Sequence, residues 1–307
     1  MKSTRRLFGI LVLILALFCL YLTIMNYNDV TTYVNRIVRK YSKNNVVVPD
    51  YTKNHRLYIF KTLTETKNFE PHSVEDIKNI YFTVLNNGWD TFTFYCPYDY
   101  DNCVKDVKTI ANTNNTEYIT LINNYVSPYN SYRRYNTTIV DENKITLTID
   151  KLYTNEEIKK IDQVLDPYIK KNFGNKKITL KDIEKLHDYL ISRITYDNKY
   201  KKGDEITDSN KATGAILNGV ALCSGYSDAF AIALDKINNP NFKINSEEHE
   251  WNAIYFNKKW THIDLTWDDD EVNKNNNRNF FMIDTKTLLE KDKKDHNFTR
   301  ELYLELK

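Results

Sequence analysis

The sequence lacks an excess of charge of either sign. Its 43 Lys and Arg nearly balance 41 Asp and Glu, so no strong global field points to nucleic acid or to an acidic partner. It also lacks internal repeats and long low-complexity tracts, which sets aside solenoids and arrays. The C-x₂-C and H-x₃-H spacings of common zinc sites are missing as well, and neither a metal nor another cofactor is expected. What remains is a chain of 307 residues, enough for one large or two modest domains.

Near the N-terminus, MKSTRR is followed by an uncharged apolar run from Leu7 to Met25. At about 1.5 Å per residue it spans roughly 28 Å, close to the thickness of a bilayer core. Lys2, Arg5 and Arg6 precede it and would stay in the cytoplasm. No small-residue cleavage site follows, and Cys19 comes after Phe18 rather than the small residue a lipid-attachment site wants. The expectation is an uncleaved signal anchor: a cytoplasmic tail over 1–6, a transmembrane helix over 7–25, a polar stalk over 26–50, and the remainder outside the cell membrane.

Cysteine is scarce, four in all. Cys19 lies inside the anchor. Cys96 and Cys103 flank the short segment CPYDYDNC, where an extracytoplasmic setting permits either a disulfide or two free thiols. Cys223 has no obvious partner, which makes it a candidate reactive thiol.

From Tyr51 the pattern alternates between strand and helix. RLYIF reads as a strand, SVEDIKNIYFTVLNNG as a helix ending at Gly88, DTFTFYC as a strand, NCVKDVKTIAN as a helix and KITLTIDKLY as a strand. This gives a small α/β module over 51–150, with His55 and His72 as surface residues. A second region, 151–307, opens with a capping box at Thr154 and Glu157. A helix follows from about Leu180 and places His187 on its apolar face, the position of a core histidine rather than a catalytic one.

Within ALCSGYSDAF, Cys223 falls at the start of a helix whose Ala229, Phe230, Ala233, Leu234 and Ile237 share one face. The helix dipole and the first backbone amides favour thiolate there and could hold an oxyanion. A need for something small at a helix start would account for the cysteine equally well. Downstream, HEWNAIYFNKKWTHIDLTW reads as a β-hairpin turning at Asn257 and Lys258. A two-residue loop pairs Phe256 with Lys259, so Asp264 faces Trp251 and His249 lies one diagonal step away on the same face. A three-residue loop would send the two to opposite faces. A cysteine, an imidazole and a carboxylate are what thiol acyl transfer needs. His262 is a competing imidazole, and Asp268 and Asp269 are competing carboxylates. A zinc site of Cys223, His249, His262 and Asp264 has suitable ligand types without the local spacing.

Residues 212–269, carrying ATGAILNGVALCSGYSDAF and HEWNAIYFNKKWTHIDLTWDD, resemble the transglutaminase-like superfamily, in particular its bacterial cysteine-peptidase branch. The resemblance implies an α+β, papain-like domain whose core helix packs on an antiparallel sheet. It also implies a triad of Cys223 as nucleophile, His249 as base and Asp264. His262 would be a non-catalytic accompaniment, and Tyr196-Asp197 matches an aromatic-Asp pair before the nucleophile. Tyr226, Glu250, Trp251 and Trp267 are the expected substrate-binding residues; Glu250 departs from the family pattern, which is usually less charged there. The implied chemistry is attack on a protein or peptide amide, possible substrates including cell-wall peptide. Water as acceptor gives hydrolysis and an amine gives crosslinking, while loss of activity would leave a surface binding module.

Overall fold

The computed structural model describes residues 2–25, 31, 33–34, 37, 45–112, 117–140, 143–174, 176–200, 205–269 and 278–307, without the side chains of 2–11, 23 and 25. Helix α1 (Lys2–Met25) carries the apolar run, and its described side chains such as Leu13, Leu17 and Ile24 are exposed. The side chains of 7–11, 23 and 25 within the expected 7–25 span, and most of the expected 26–50 stalk, lie outside the described residues. Among the described ones, no helix is long and apolar enough to cross a membrane.

The remainder is α+β with antiparallel sheets. In chain order come α2 (Val74–Asn86), β1 (Thr91–Tyr95), α3 (Cys103–Ile110), α4 (Glu117–Tyr125), β2 (Tyr132–Val140) and β3 (Lys144–Lys151). They are followed by α5 (Asn155–Asn172), α6 (Leu180–Ile191), β4 (Thr195–Tyr196), β5 (Val220–Ala221) and α7 (Cys223–Lys236). The last elements are β6 (Asn241–Asn245), β7 (Glu250–Phe256), β8 (Lys259–Ile263), α8 (Leu265–Asp268) and α9 (Thr285–Lys291). One antiparallel sheet has the order β1-β3-β2 and another β6-β7-β8, while β4 and β5 form a short parallel pair.

Local signals explain most boundaries. Ser73 caps α2 by accepting from Asp76 N, and Gly88 lets the chain leave that helix at φ +69°. Thr154 and Glu157 satisfy each other's amides as a capping box. Cys96 and Cys103 form a disulfide, Cα–Cα 5.7 Å. Its sulfurs sit in the buried core at 2% and 0% exposure.

Two expectations fail for identifiable reasons. RLYIF joins no sheet, because its backbone bonds elsewhere: Arg56 N donates to Asn86 Oδ1 and Arg56 O accepts from Asn86 Nδ2. The Arg56 side chain is buried, donating to Asp235 and to the carbonyls of Tyr125 and Asn241. His55 is likewise no free surface residue; its ring bonds Glu65 at 2.9 Å.

The 51–150 and 151–307 regions share one core. Phe60, Tyr125, Phe242 and Tyr303 pack ring on ring, with Tyr125 and Phe242 stacked at 4.6 Å. Glu305, 6% exposed, closes this core. It accepts from the amides of Lys61 and Thr62, from the Thr62 hydroxyl and from the Tyr125 hydroxyl. A second cluster joins Ile161, Leu165, Leu186 and Leu190 to Phe230 and Ala233 of α7.

Helix α7 was expected to present one apolar face. Instead it is buried on all sides from Gly225 to Leu234, lying against β6, β7, α5 and α6. Its one carboxylate in that stretch, Asp228, therefore needs compensation. Lys243 Nζ donates to it at 2.6 Å and the Tyr153 hydroxyl at 2.5 Å, and Lys243 also reaches Glu250 at 3.1 Å.

Candidate active site

Cys223 is the first residue of α7, and its thiol is half-buried. The first bond of the helical ladder is Tyr226 N–H to Leu222 O, so the amides of Cys223, Ser224 and Gly225 precede it. The strand before the cysteine is fixed on two sides. Tyr196 pairs with Ala221, Asp197 N donates to Ala221 O, and Leu222 N donates to Ser209 O at 2.7 Å. Gly225 is required by that close approach, since a Cβ there would stand 2.5 Å from Ser209 O.

The β7–β8 hairpin has the two-residue turn. Phe256 pairs with Lys259 and Asn252 with Ile263, and Asn257 and Lys258 both take positive φ, as a type I′ turn demands. This register puts His249, just before β7, beside Asp264, just after β8. His249 Nε2–H donates to Asp264 Oδ2 at 2.6 Å. The other ring nitrogen, Nδ1, is left over by that bond, and the Cys223 sulfur acts on the same imidazole by favouring its proton. Imidazole and carboxylate are thus in contact, and both the carboxylate and the cysteine sulfur act on the proton of His249.

Electrostatics follow from this geometry. Burial opposes a proton on His249, but the Asp264 carboxylate and the Cys223 sulfur outweigh it and push the imidazole up to about 10. Burial would also raise Asp264, yet His249 and His296 hold it well below the usual carboxylate range. Every lone-pair direction of Asp264 is used. Oδ1 accepts from Thr266 N and Trp267 N as the cap of α8, and Oδ2 accepts from His249 and, at 2.9 Å, from His296.

The competing residues have other partners. His262 is buried; its Nδ1 accepts from Trp251 Nε1–H and its Nε2–H donates to Thr285. Burial, and then the charge of His296, lower its pKa to about 3, as befits a neutral structural ring. Asp268 accepts from Phe280 N and His187 Nε2–H, which makes His187 a satisfied core histidine. Asp269 accepts from the Tyr226 hydroxyl at 2.5 Å.

The expected substrate-binding residues divide. Trp267 is 39% exposed and meets the His249 ring edge-on at 6.3 Å, so it borders the site. Tyr226 and Trp251 are 1% exposed and committed to Asp269 and His262, which removes both as open contact surface. Glu250 accepts from Ser227 and Lys243 and so serves the buried charge network. Tyr196 does stand at the site: burial, then the charges of Cys223, Asp197 and Asp264, raise its hydroxyl pKa.

His296 was not foreseen. It is fully buried and joins His249 and Asp264 in a cluster whose ligand-type atoms all lie within 4.8 Å. Those three types could hold a metal ion. Their separations of 2.6 and 2.9 Å, however, are those of proton-bearing hydrogen bonds. Ligand atoms around one zinc at 2.0–2.1 Å would stand roughly 3.3 Å apart.

No family model and no curated protein matches the chain. Among solved structures it is similar to a crystal structure of a TGase (transglutaminase), at 16% identity and TM-score 0.33, over 44% of this chain and 44% of that one. It is also similar to a candidate cysteine protease from Cytophaga hutchinsonii, at 10% identity and TM-score 0.27, over 43% of this chain and 61% of that one. The chain spans less than two thirds of either, and both likenesses are too partial to assign an activity.

Proposed function

We propose that this protein is a transglutaminase-like thiol enzyme that cleaves peptide or side-chain amides through an acyl-enzyme on Cys223. The observation that supports this reading is the His249–Asp264 pair, whose imidazole also feels the Cys223 sulfur, with that sulfur at the start of a buried helix. The sulfur attacks the amide carbonyl carbon, forming a C–S bond. The oxyanion that develops is met by the Cys223 amide. His249 then gives its proton to the nitrogen as the C–N bond breaks, and an amine leaves. Water, deprotonated by His249, attacks the thioester; a carboxylic acid departs and the thiol is restored. An amine in place of water gives a crosslink. Asp264 orients the imidazole and keeps Nδ1 toward the sulfur.

The uncharged run Leu7–Met25, preceded by Lys2, Arg5 and Arg6, favours a single-pass anchor with the enzyme outside the cell membrane. Its substrate would then be a surface protein or a wall peptide.

The test is iodoacetamide labelling of the full chain across pH, read at the Cys223 peptide by mass spectrometry, with Cys223→Ala and His249→Ala controls. Fast labelling at neutral pH that is lost in His249→Ala supports the enzyme. Labelling no faster than an ordinary thiol, and indifferent to His249→Ala, turns the reading toward a surface binding module.

A further inference from the structure

Asp264 Oδ2 is shared by two imidazoles. His249 Nε2–H and His296 Nε2–H donate to the same oxygen, at 2.6 and 2.9 Å. The two rings lie edge to face with centroids 5.1 Å apart. His296 is itself held at its far end, where Nδ1–H donates to Asp292 Oδ2 at 2.8 Å. Asp292 in turn accepts from Asp295 N. Phe280 stacks on the His296 ring at 5.2 Å and Trp251 meets its edge at 4.8 Å, so the ring has one place to be.

We infer that His296 is a positioning residue for the reaction proposed above: through the shared oxygen of Asp264 it sets where His249 stands and how firmly His249 keeps its proton. An ionised carboxylate accepts and cannot donate, so a ring lying between two of them is held at both nitrogens. Its Nε2–H competes with His249 for Oδ2, and the same hydrogen bond keeps that oxygen from turning away. Without it, Asp264 would direct its whole charge at His249, which would surrender a proton to the leaving amine less readily. The other charged or titratable groups facing this cluster are Cys223 from α7, Tyr196 from β4, His262 from β8, Asp268 from α8 and Asp292 after α9.

This inference rests on the thiol-enzyme reading, and the test separates the two. Cys223 alkylation is followed from pH 5 to 11 in the full chain, in His296→Gln, in His296→Phe and in His249→Ala. In His296→Phe the inflection at which His249 gives up its proton should move up by about one pH unit, a tenfold change, because Asp264 Oδ2 then serves His249 alone. His296→Phe, which fills the space without a donor, should label more slowly than His296→Gln, whose amide restores one bond to Asp264. An unmoved inflection in both variants, with fast labelling intact in the parent, overturns the role of His296 alone. Ordinary slow labelling in the parent overturns both readings. Should the variants not fold, imidazole ¹⁵N NMR of the parent decides: protected Nε2–H signals from both His249 and His296 at neutral pH are expected, and absence of the His296 signal refutes the shared oxygen.

Discussion

The Nε2 of His249 lies 2.6 Å from Oδ2 of Asp264, fifteen residues further along the chain. A two-residue turn at Asn257 and Lys258 brings them together, and one extra residue there would send the two side chains to opposite faces of the hairpin.

Insertion of a single glycine between Asn257 and Lys258 should therefore uncouple imidazole from carboxylate. Cys223 alkylation at pH 7 should fall about tenfold or more toward that of a free thiol, of which only a few per cent is thiolate at that pH. Circular dichroism unchanged from the parent would show that the loss comes from register and not from unfolding. Unchanged labelling would contradict the dependence on the hairpin.

The raised pKa of His249 makes a statement about stability. Its folded value, about 10, exceeds the ordinary value near 6.5. The stabilisation it gives is fully present below about pH 6.5 and is lost as pH rises toward 10. Urea midpoints should thus decline between pH 7 and pH 10 more steeply in the parent than in His249→Ala. Parallel declines would mean that the imidazole gains no proton affinity on folding.

Lys243→Met should destabilise strongly, by about 3–5 kcal/mol in urea unfolding, since it leaves buried Asp228 without its cation. The double variant Lys243→Met, Asp228→Asn should recover part of that loss. A single variant within about 0.5 kcal/mol of the parent would show that the pair is not compensating a buried charge.

Replacing both Cys96 and Cys103 by serine opens a loop with a sequence separation of 7 and should cost about 2.5 kcal/mol on the chain-entropy account. Cys223 labelling should keep its pH profile, because the helix that carries Cys223 packs in the second cluster and the bridge in the first. A changed profile would tie the bridge to the site.

What the sequence revealed and what it hid have physical causes. The hairpin was legible because apolar alternation and a polar two-residue turn both act locally, and the capping box at Thr154 and Glu157 for the same reason. RLYIF misled because its alternation is real, while the amide and carbonyl of its first residue, Arg56, are taken by Asn86, thirty residues away. Strand β2 went unread: TyrArgArgTyrAsn offers no apolar face, and it is held by pairing with β3. His296 was invisible because it lies in KDKKDHNF, a polar stretch with no periodicity. Its place beside Asp264 comes from the tertiary path after α9. Trp251 and Glu250 were singled out for lying next to His249, yet alternation along β7 turns them toward the interior and the Lys243 network.

The carboxylate of Glu305 satisfies amides at Lys61 and Thr62 and the hydroxyl of Tyr125. A ribosome delivers Glu305 244 residues after Lys61, so those earlier groups must wait for all of that chain before they find their acceptor. Contacts of such long sequence separation make for slow folding. The Lys61–Thr62 segment would spend that interval of synthesis incomplete, within reach of proteases and chaperones.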